Sequence, residues 1–245
     1  FDLISGVRPI RAIPGVPLPL SDPRAKDIDL VIVRESTEGL FKGRENGEII
    51  EDREARDTQI ITRPTSERLF RFSFELARAR KERGKPGRVT CIDKANVLAS
   101  MAFFRKIFDE IAAEFPDCEA DHHYVDATAL DLVRKPWAFD VMPTENMYGD
   151  IISDLAAGLI GGMGFAPSAD VGDGHAVFQP SHGTAPDIAG QGKANPTAMF
   201  LSAAMMLDWL GRRHNETDCV EAGMLLEKAV DDAFAGGALR TADFG

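Results

Sequence analysis

The chain has 245 residues, 44% of them hydrophobic and 27% charged, enough apolar mass to bury a sizeable core as one large or two modest domains. Its formal net charge of −11 disfavours nucleic acid or an anionic membrane surface as the main partner, because both would repel it. No apolar run is long and charge-free enough to span a bilayer, and Cys91, Cys118 and Cys219 fit neither a disulfide framework nor zinc-ligand spacing, so a reducing cytoplasm is the simplest compartment.

In chain order the pattern alternates between strand and helix. Residues 30–33, Leu-Val-Ile-Val, read as a short apolar strand that brings Arg34 to a strand end, where α/β sites gather polar groups. Asn46-Gly47 predicts a tight hairpin turn in a polar arm of paired strands over 43–62, with 59–61 on its return. Pro64 opens a helix with Leu69, Phe72, Leu76 and Ala79 at helical spacing, ended by the Gly-Lys-Pro-Gly of 84–87. A strand over 89–92 follows. Met101, Phe104, Ile107, Phe108 and Ile111 then mark an amphipathic helix that stops before Pro116. Strands near 123–125 and 139–142 precede a helix from Gly149 to residue 160, and 198–210 and 222–234 are helical by pattern. Aromatic and methionine stripes on these helices are explained by core or subunit-interface packing. Internal repeats and low-complexity segments are absent.

Asp150 and Asp154 stand four residues apart, so on a helix both acids share one face. Two hard oxygen donors converging on one point suit a divalent cation such as Mg²⁺; the alternative is a helix with two solvated acids. Gly161-Gly-Met-Gly164 follows a helix instead of a strand and lacks the third glycine at the proper spacing, so it is not a dinucleotide fingerprint. Taken singly, Asp126 reads as a helix cap and Lys94 as an exposed strand-end lysine. Arg8 and Arg34 read as surface charges or structural ion pairs, Asp187 as a loop or helix-cap acid, and His182 and Asn195 as turn formers.

The ordered motifs change those readings. Gly158-Leu-Ile-Gly-Gly-Met-Gly-Phe-Ala-Pro-Ser168, Gly172-Asp173, Ser181-His-Gly-Thr-Ala-Pro-Asp-Ile-Ala-Gly190 and Ala194-Asn-Pro-Thr197 follow the paired acids. Upstream stand Val7-Arg8-Pro9, Val33-Arg-Glu-Ser-Thr-Glu-Gly39, Val89-Thr-Cys-Ile-Asp-Lys-Ala-Asn96 and Tyr124-Val-Asp126. Together, across essentially the whole chain, they resemble the β-decarboxylating dehydrogenases, which include isocitrate, 3-isopropylmalate, homoisocitrate and tartrate dehydrogenases. The Arg-Glu-Ser-Thr-Glu-Gly motif looks nearer to the isocitrate, homoisocitrate and tartrate branches, without identifying a substrate.

The resemblance implies a two-domain α/β fold of the isocitrate/isopropylmalate dehydrogenase type. Residues 5–160 would be a substrate-binding and dimerisation domain, and 161–245 the C-terminal part of a nucleotide-binding domain. It further implies an N-terminally truncated chain that lacks the first part of that domain and the family's substrate-selecting loop. The activity implied is oxidation and decarboxylation of a substituted malate, a hydroxy-di- or tricarboxylate, with NAD and Mg²⁺ or Mn²⁺. Arg8 and Arg34 match carboxylate clamps, whose planar forks suit bidentate binding. Lys94 matches the residue that shuttles the alcohol proton, and Asp126, Asp150 and Asp154 match the metal ligands. Lys94 and Asp126 would reach the site of a second subunit, making a homodimer part of the mechanism. His182, Gly183, Asp187 and Asn195 match the cofactor pocket; an acid at 187 beside Ile188 favours NAD over NADP, because a 2′-phosphate would be repelled.

One position departs from the family pattern. A tyrosine is usual where this chain has Phe41, and it helps to protonate the enol carbon after decarboxylation. Phenylalanine keeps the ring and removes the donor. Phe41 therefore sets oxidation without productive decarboxylation beside the main reading; a second alternative, implied by family members that bind ligand after losing catalytic side chains, is a non-catalytic regulatory subunit, against which retention of Lys94, Asp126, Asp150 and Asp154 argues.

Overall fold

The computed structural model describes residues 2–244. In chain order its regular elements are β1 (Ser5–Arg11), β2 (Asp29–Glu35), α1 (Gly39–Lys42), β3 (Glu48–Ile50), β4 (Glu54–Arg56), α2 (Arg63–Glu82), β5 (Arg88–Asp93) and α3 (Ala99–Ala112). There follow β6 (Glu119–Tyr124), α4 (Val125–Arg134), β7 (Val141–Thr144), α5 (Asn146–Gly158), β8 (Pro167–Val171), β9 (Ala176–Pro180), α6 (Thr197–His214) and α7 (Thr217–Ala235). The chain divides into two compact units. One holds the residues up to Val7, Leu30–Ser153 and Asp170–His175; the other holds Arg8–Asp29, Asp154–Ala169 and the chain from Ala176.

In the first unit the strands are hydrogen-bonded in the order β6-β5-β7-β2-β1. β5 runs parallel to both β6 and β7, and β2 parallel to β7. Parallel neighbours covered by helices must be apolar on both faces, and Leu30, Val31, Ile32 and Val33 are all buried. On one face α2 and α3 pack through phenylalanines. Phe70 lies 4.6 Å from Phe104 and 5.2 Å from Phe108, and Phe74 lies 5.0 Å from Phe115. Outside this apolar seam runs a row of ion pairs: Arg63 to Glu110 at 2.5 Å, Arg71 to Glu114 at 2.8 Å, and Arg78 Nε to Asp117 at 2.8 Å.

The buried face of α2 differs from the predicted one. Leu69 is buried as expected, but its companions are Phe70, Ser73, Phe74 and Ala77, while Phe72, Leu76 and Ala79 are half-buried. Serine is tolerated inside because Ser66 and Ser73 donate to the carbonyls of Thr62 and Leu69 one turn back. The five apolar positions predicted for α3 are all buried.

The arm contains an antiparallel hairpin, β3 with β4, but its turn lies at 51–53 and not at Asn46-Gly47. Glu51 and Asp52 take φ of +50° and +52°, the left-handed pair that suits a hairpin's twist, and Arg53 N–H donates to the Ile50 carbonyl at 2.9 Å. Asn46 ends a 3₁₀ turn and Gly47 is extended. The predicted return at 59–61 contributes one isolated bridge, Ile60 with Gly39.

In the second unit β8 stands between β1 and β9, and α6 packs on α7. Arg11 joins β1 to α7, donating to Asp231 at 2.8 and 3.0 Å, with Glu227 at 3.0 Å. Phe165 stacks on Phe244 and meets Phe234 edge-on, both at 5.5 Å. The Gly161-Gly162 pair, at φ of +109° and +113°, makes the turn after α5.

Candidate active site

Arg34 is the penultimate residue of β2, at the strand end where the sequence places it. Asn146, the first residue of α5, accepts from Arg34 Nε at 3.0 Å and Nη2 at 2.8 Å. The Asn146 amide then donates to the Glu38 carbonyl at 2.9 Å. The guanidinium lies 5.7 Å from the centroid of Phe41, within cation–π range, and its Nη1 pairs with Asp150. Gly149 permits this arrangement, since a Cβ there would sit 2.7 Å from Arg34 Cγ and 2.8 Å from Arg34 Cβ. The helix thus begins three residues earlier than predicted from Gly149. It starts at Asn146 because the Glu145 carboxylate accepts from the Tyr148 and Met147 N–H groups at 2.6 and 3.2 Å, capping its first turn.

Three acids beneath this arginine are buried: Glu35, Glu38 and Glu145. Glu35 accepts from Thr37 and from the Glu38 N–H, while Glu38 accepts from the Thr62 N–H and hydroxyl. Burial pushes the Glu35 and Glu145 carboxyls above their ordinary values, against the pull of those hydrogen bonds. These carboxylates organise the loop carrying Ser36 and Thr37, which leads into α1 and Phe41. The loop borders a cavity of about 360 Å³ whose lining also includes Lys42, Arg44 and Asn146.

A second group forms at the ends of β5 and β6. Lys94 Nζ lies 2.5 Å from Asp126 Oδ1, and the ammonium holds the Asp126 carboxyl below the usual carboxylate range. Asp126 is in the first turn of α4, not at its cap, which is Tyr124. An acid in that position also meets the positive end of the helix.

Asp150 and Asp154 are one turn apart on α5 and both exposed. Among the described residues no group of three or more His, Cys, Asp or Glu side chains is placed to hold a metal ion. The two acids on one helix face suit a hard cation in charge and atom type. Arg8, in the second unit, donates to the Ala169 carbonyl at 3.1 Å.

The residues expected to hold the cofactor also lie in the second unit. His182, Gly183 and Asp187 are exposed in the segment after β9, where His182 Nδ1 is 2.8 Å from the Gly183 carbonyl. Ala185 is left-handed, φ +42°, and heads the 3₁₀ turn Pro186–Ile188 that carries Asp187. Asn195 Oδ1 accepts from the Thr197 N–H at 3.0 Å and its amide donates to Asp243 at 2.9 Å, so it orders the start of α6. Sequence reasoning missed Glu145 and Asn146, although an acid and an amide just before an apolar helical run are a readable start signal.

The fold carries basic and acidic side chains at strand and helix ends. Comparison with known proteins narrows the class. The sequence model of the isocitrate/isopropylmalate dehydrogenase family matches residues 1–245. A 3-isopropylmalate/3-methylmalate dehydrogenase of Methanocaldococcus jannaschii is 47% identical over 100% of this chain and 69% of its own length. A homoisocitrate dehydrogenase of the same organism is 46% identical over 90% of this chain, which spans 62% of that relative. The crystal structure of isocitrate dehydrogenase from Methylococcus capsulatus superimposes with a TM-score of 0.85 at 41% identity, covering 98% of this chain and 67% of that one. The chain belongs to the isocitrate/isopropylmalate dehydrogenase family, a family of oxidoreductases.

Proposed function

We propose that the protein oxidises a substituted malate with NAD and Mg²⁺ or Mn²⁺, and that decarboxylation follows. The observation that carries this reading is the pairing of Lys94 with Asp126 in a family member that also keeps Arg34 and the two acids of α5. Relatives named for 3-isopropylmalate or 3-methylmalate and for homoisocitrate support a malate-type substrate. NAD would supply the hydride acceptor for the alcohol carbon, and a divalent cation would supply Lewis-acid polarisation of the substrate oxygens.

The chain's own residues then have separate tasks. Arg8 and Arg34 bind substrate carboxylates through their forks. Asn146 orients Arg34, and Lys94, as the free amine left when its own proton has passed on, takes the proton from the alcohol oxygen. Asp150 and Asp154 are the metal ligands from one subunit, with Asp126 supplied by a second copy. His182, Gly183, Asp187 and Asn195 line the NAD pocket, where Asp187 accepts from ribose hydroxyls. In this reading 5–160 is the substrate and dimerisation domain and 161–245 belongs to the nucleotide domain. Apolar side chains exposed on α4 and α5, Leu130, Val133 and Ile151, support a homodimer.

The direct test is NADH formation from isocitrate, homoisocitrate, tartrate, 3-isopropylmalate and malate, followed by mixing inactive Lys94→Ala with inactive Arg34→Ala subunits. Turnover with one of these acids, and partial recovery in the mixed dimers, is expected. Heterodimers that form without recovery refute the shared site, and no turnover by the purified homo-oligomer favours a regulatory subunit. Phe41 favours a second reading, oxidation without productive decarboxylation, because a phenyl ring lies 5.7 Å from the Arg34 guanidinium where the family usually has a phenol; carbon dioxide released per NADH separates the two.

A further inference from the structure

Lys94 is held by more than Asp126. Arg105, on α3, forks onto the carboxylate of Asp93, with Nε to Oδ2 at 2.7 Å and Nη2 to Oδ1 at 2.8 Å. Asp93 has no exposed surface, and its Oδ1 also accepts the Ala95 N–H at 2.8 Å. One carboxylate therefore fixes the backbone on both sides of Lys94. A buried carboxylate keeps such a position only while it is paired and hydrogen-bonded, and Arg105 is its charged partner.

The same guanidinium reaches the lysine by a second route. Its carbon lies 5.0 Å from the centroid of Tyr124, and Lys94 Nζ lies 5.8 Å from that centroid. Tyr124 faces Asp93 in the β5–β6 ladder and is the N-cap of α4, the helix that carries Asp126. Arg105 thus braces the chain under Lys94 and the residue that starts its partner's helix.

We propose that Arg105 is a positioning residue for Lys94, acting through buried Asp93 and the ring of Tyr124 without touching substrate. The proposal rests on the assignment of Lys94 to the alcohol proton. A misplacement of about 1 Å at a reacting group can cost about 100-fold in rate, whereas substrate and cofactor binding through the arginines and the second unit need not change.

The experiment uses Arg105→Lys, which keeps the charge but loses the fork and the planar stack, and Arg105→Ala assayed with and without guanidinium. In the enzyme with Mg²⁺ and NAD, kcat of Arg105→Lys should fall about tenfold or more, while KM for the hydroxy acid and for NAD stays within about twofold. Added guanidinium should restore part of the Arg105→Ala rate. Whatever residual rate Lys94→Ala retains in single-turnover assay should be lowered no further by Arg105→Lys, because contacts acting through one group are non-additive. A crystal structure of Arg105→Lys should show the Lys94 ammonium displaced from Asp126. A wild-type kcat, a KM that rises in step with the loss of rate, or an undisturbed Lys94–Asp126 pair overturns the proposal. Full turnover by Lys94→Ala removes the assignment of Lys94 instead, and the crystal structure still decides whether Arg105 positions it.

Discussion

Gly149→Ala tests how closely β2 and α5 are fitted around Arg34. Two effects oppose each other. In a helix interior alanine is favoured over glycine by about 1 kcal/mol, so a roomy site would gain stability. Here the new methyl would come within 2.7 and 2.8 Å of Arg34 Cγ and Cβ and 3.1 Å of Thr144 Cγ2. Those arginine atoms are next to the main chain and cannot swing aside as its tip could. Forcing an extra carbon into packed surroundings costs about 1–3 kcal/mol, leaving a net loss of about 0–2 kcal/mol. At about 2–4 °C per kcal/mol, thermal unfolding should move down by at most about 8 °C. The larger effect is functional. The methyl pushes the guanidinium off Asn146, and KM for the hydroxy acid should rise about tenfold, the equivalent of about 1.4 kcal/mol. Thermal melts and steady-state kinetics on one preparation read both effects. A melting temperature raised by the full helical preference, with unchanged KM, would refute the close fit.

Three further outcomes are expected. Asp150→Asn should raise the Mg²⁺ or Mn²⁺ concentration needed for half-maximal rate and cut turnover without unfolding the protein, because the amide keeps the volume and loses the charge; an unchanged metal titration would remove Asp150 from the ligand set. Phe41→Tyr should quicken turnover and bring carbon dioxide release closer to NADH formed, and an unchanged rate and ratio would exclude position 41 from the chemistry. Glu145 sits above its ordinary value of 4.5 because it is buried, so its contribution to stability is whole below that value and declines as pH rises through the folded-state value. Urea melts between about pH 4 and about pH 7 should show Glu145→Gln losing less stability than the unsubstituted protein over that rise, and parallel pH profiles would contradict this.

Sequence reading recovered what periodicity and chain order encode. The buried positions of α3 follow from a 3.6-residue repeat, and Arg34 at a strand end follows from the apolar run before it. It failed where a tertiary contact decides. Gly149 looks like a helix start because glycine is a poor helix former; its actual reason, the flank of Arg34, is a contact with a distant strand. The hairpin turn was misplaced because Asn-Gly is the stronger local signal, whereas Glu51 and Asp52 accept left-handed geometry to suit the pairing of β3 with β4. Among the site residues, Lys94 beside Asp126 was foreseeable only through family likeness, because no local pattern links a strand end to a helix residue 32 positions on. The buried carboxylates around Arg34 carry no periodic signal at all.

The arginine–acid row along α2 and α3 is exposed, and pairs of that kind add little stability; the phenylalanines between the helices supply the attraction. Nonspecific attraction, however, is indifferent to sliding. If α3 slipped by one helical turn, about 5.4 Å, much of the phenyl contact could re-form one notch along, while Arg63, Arg71 and Arg78 would each face the wrong partner. The same slip would carry Arg105 far beyond reach of Asp93. The charges therefore act as a vernier scale, reading out alignment on the outer surface of the helix pair and delivering it, through a single guanidinium, to the lysine at the end of β5.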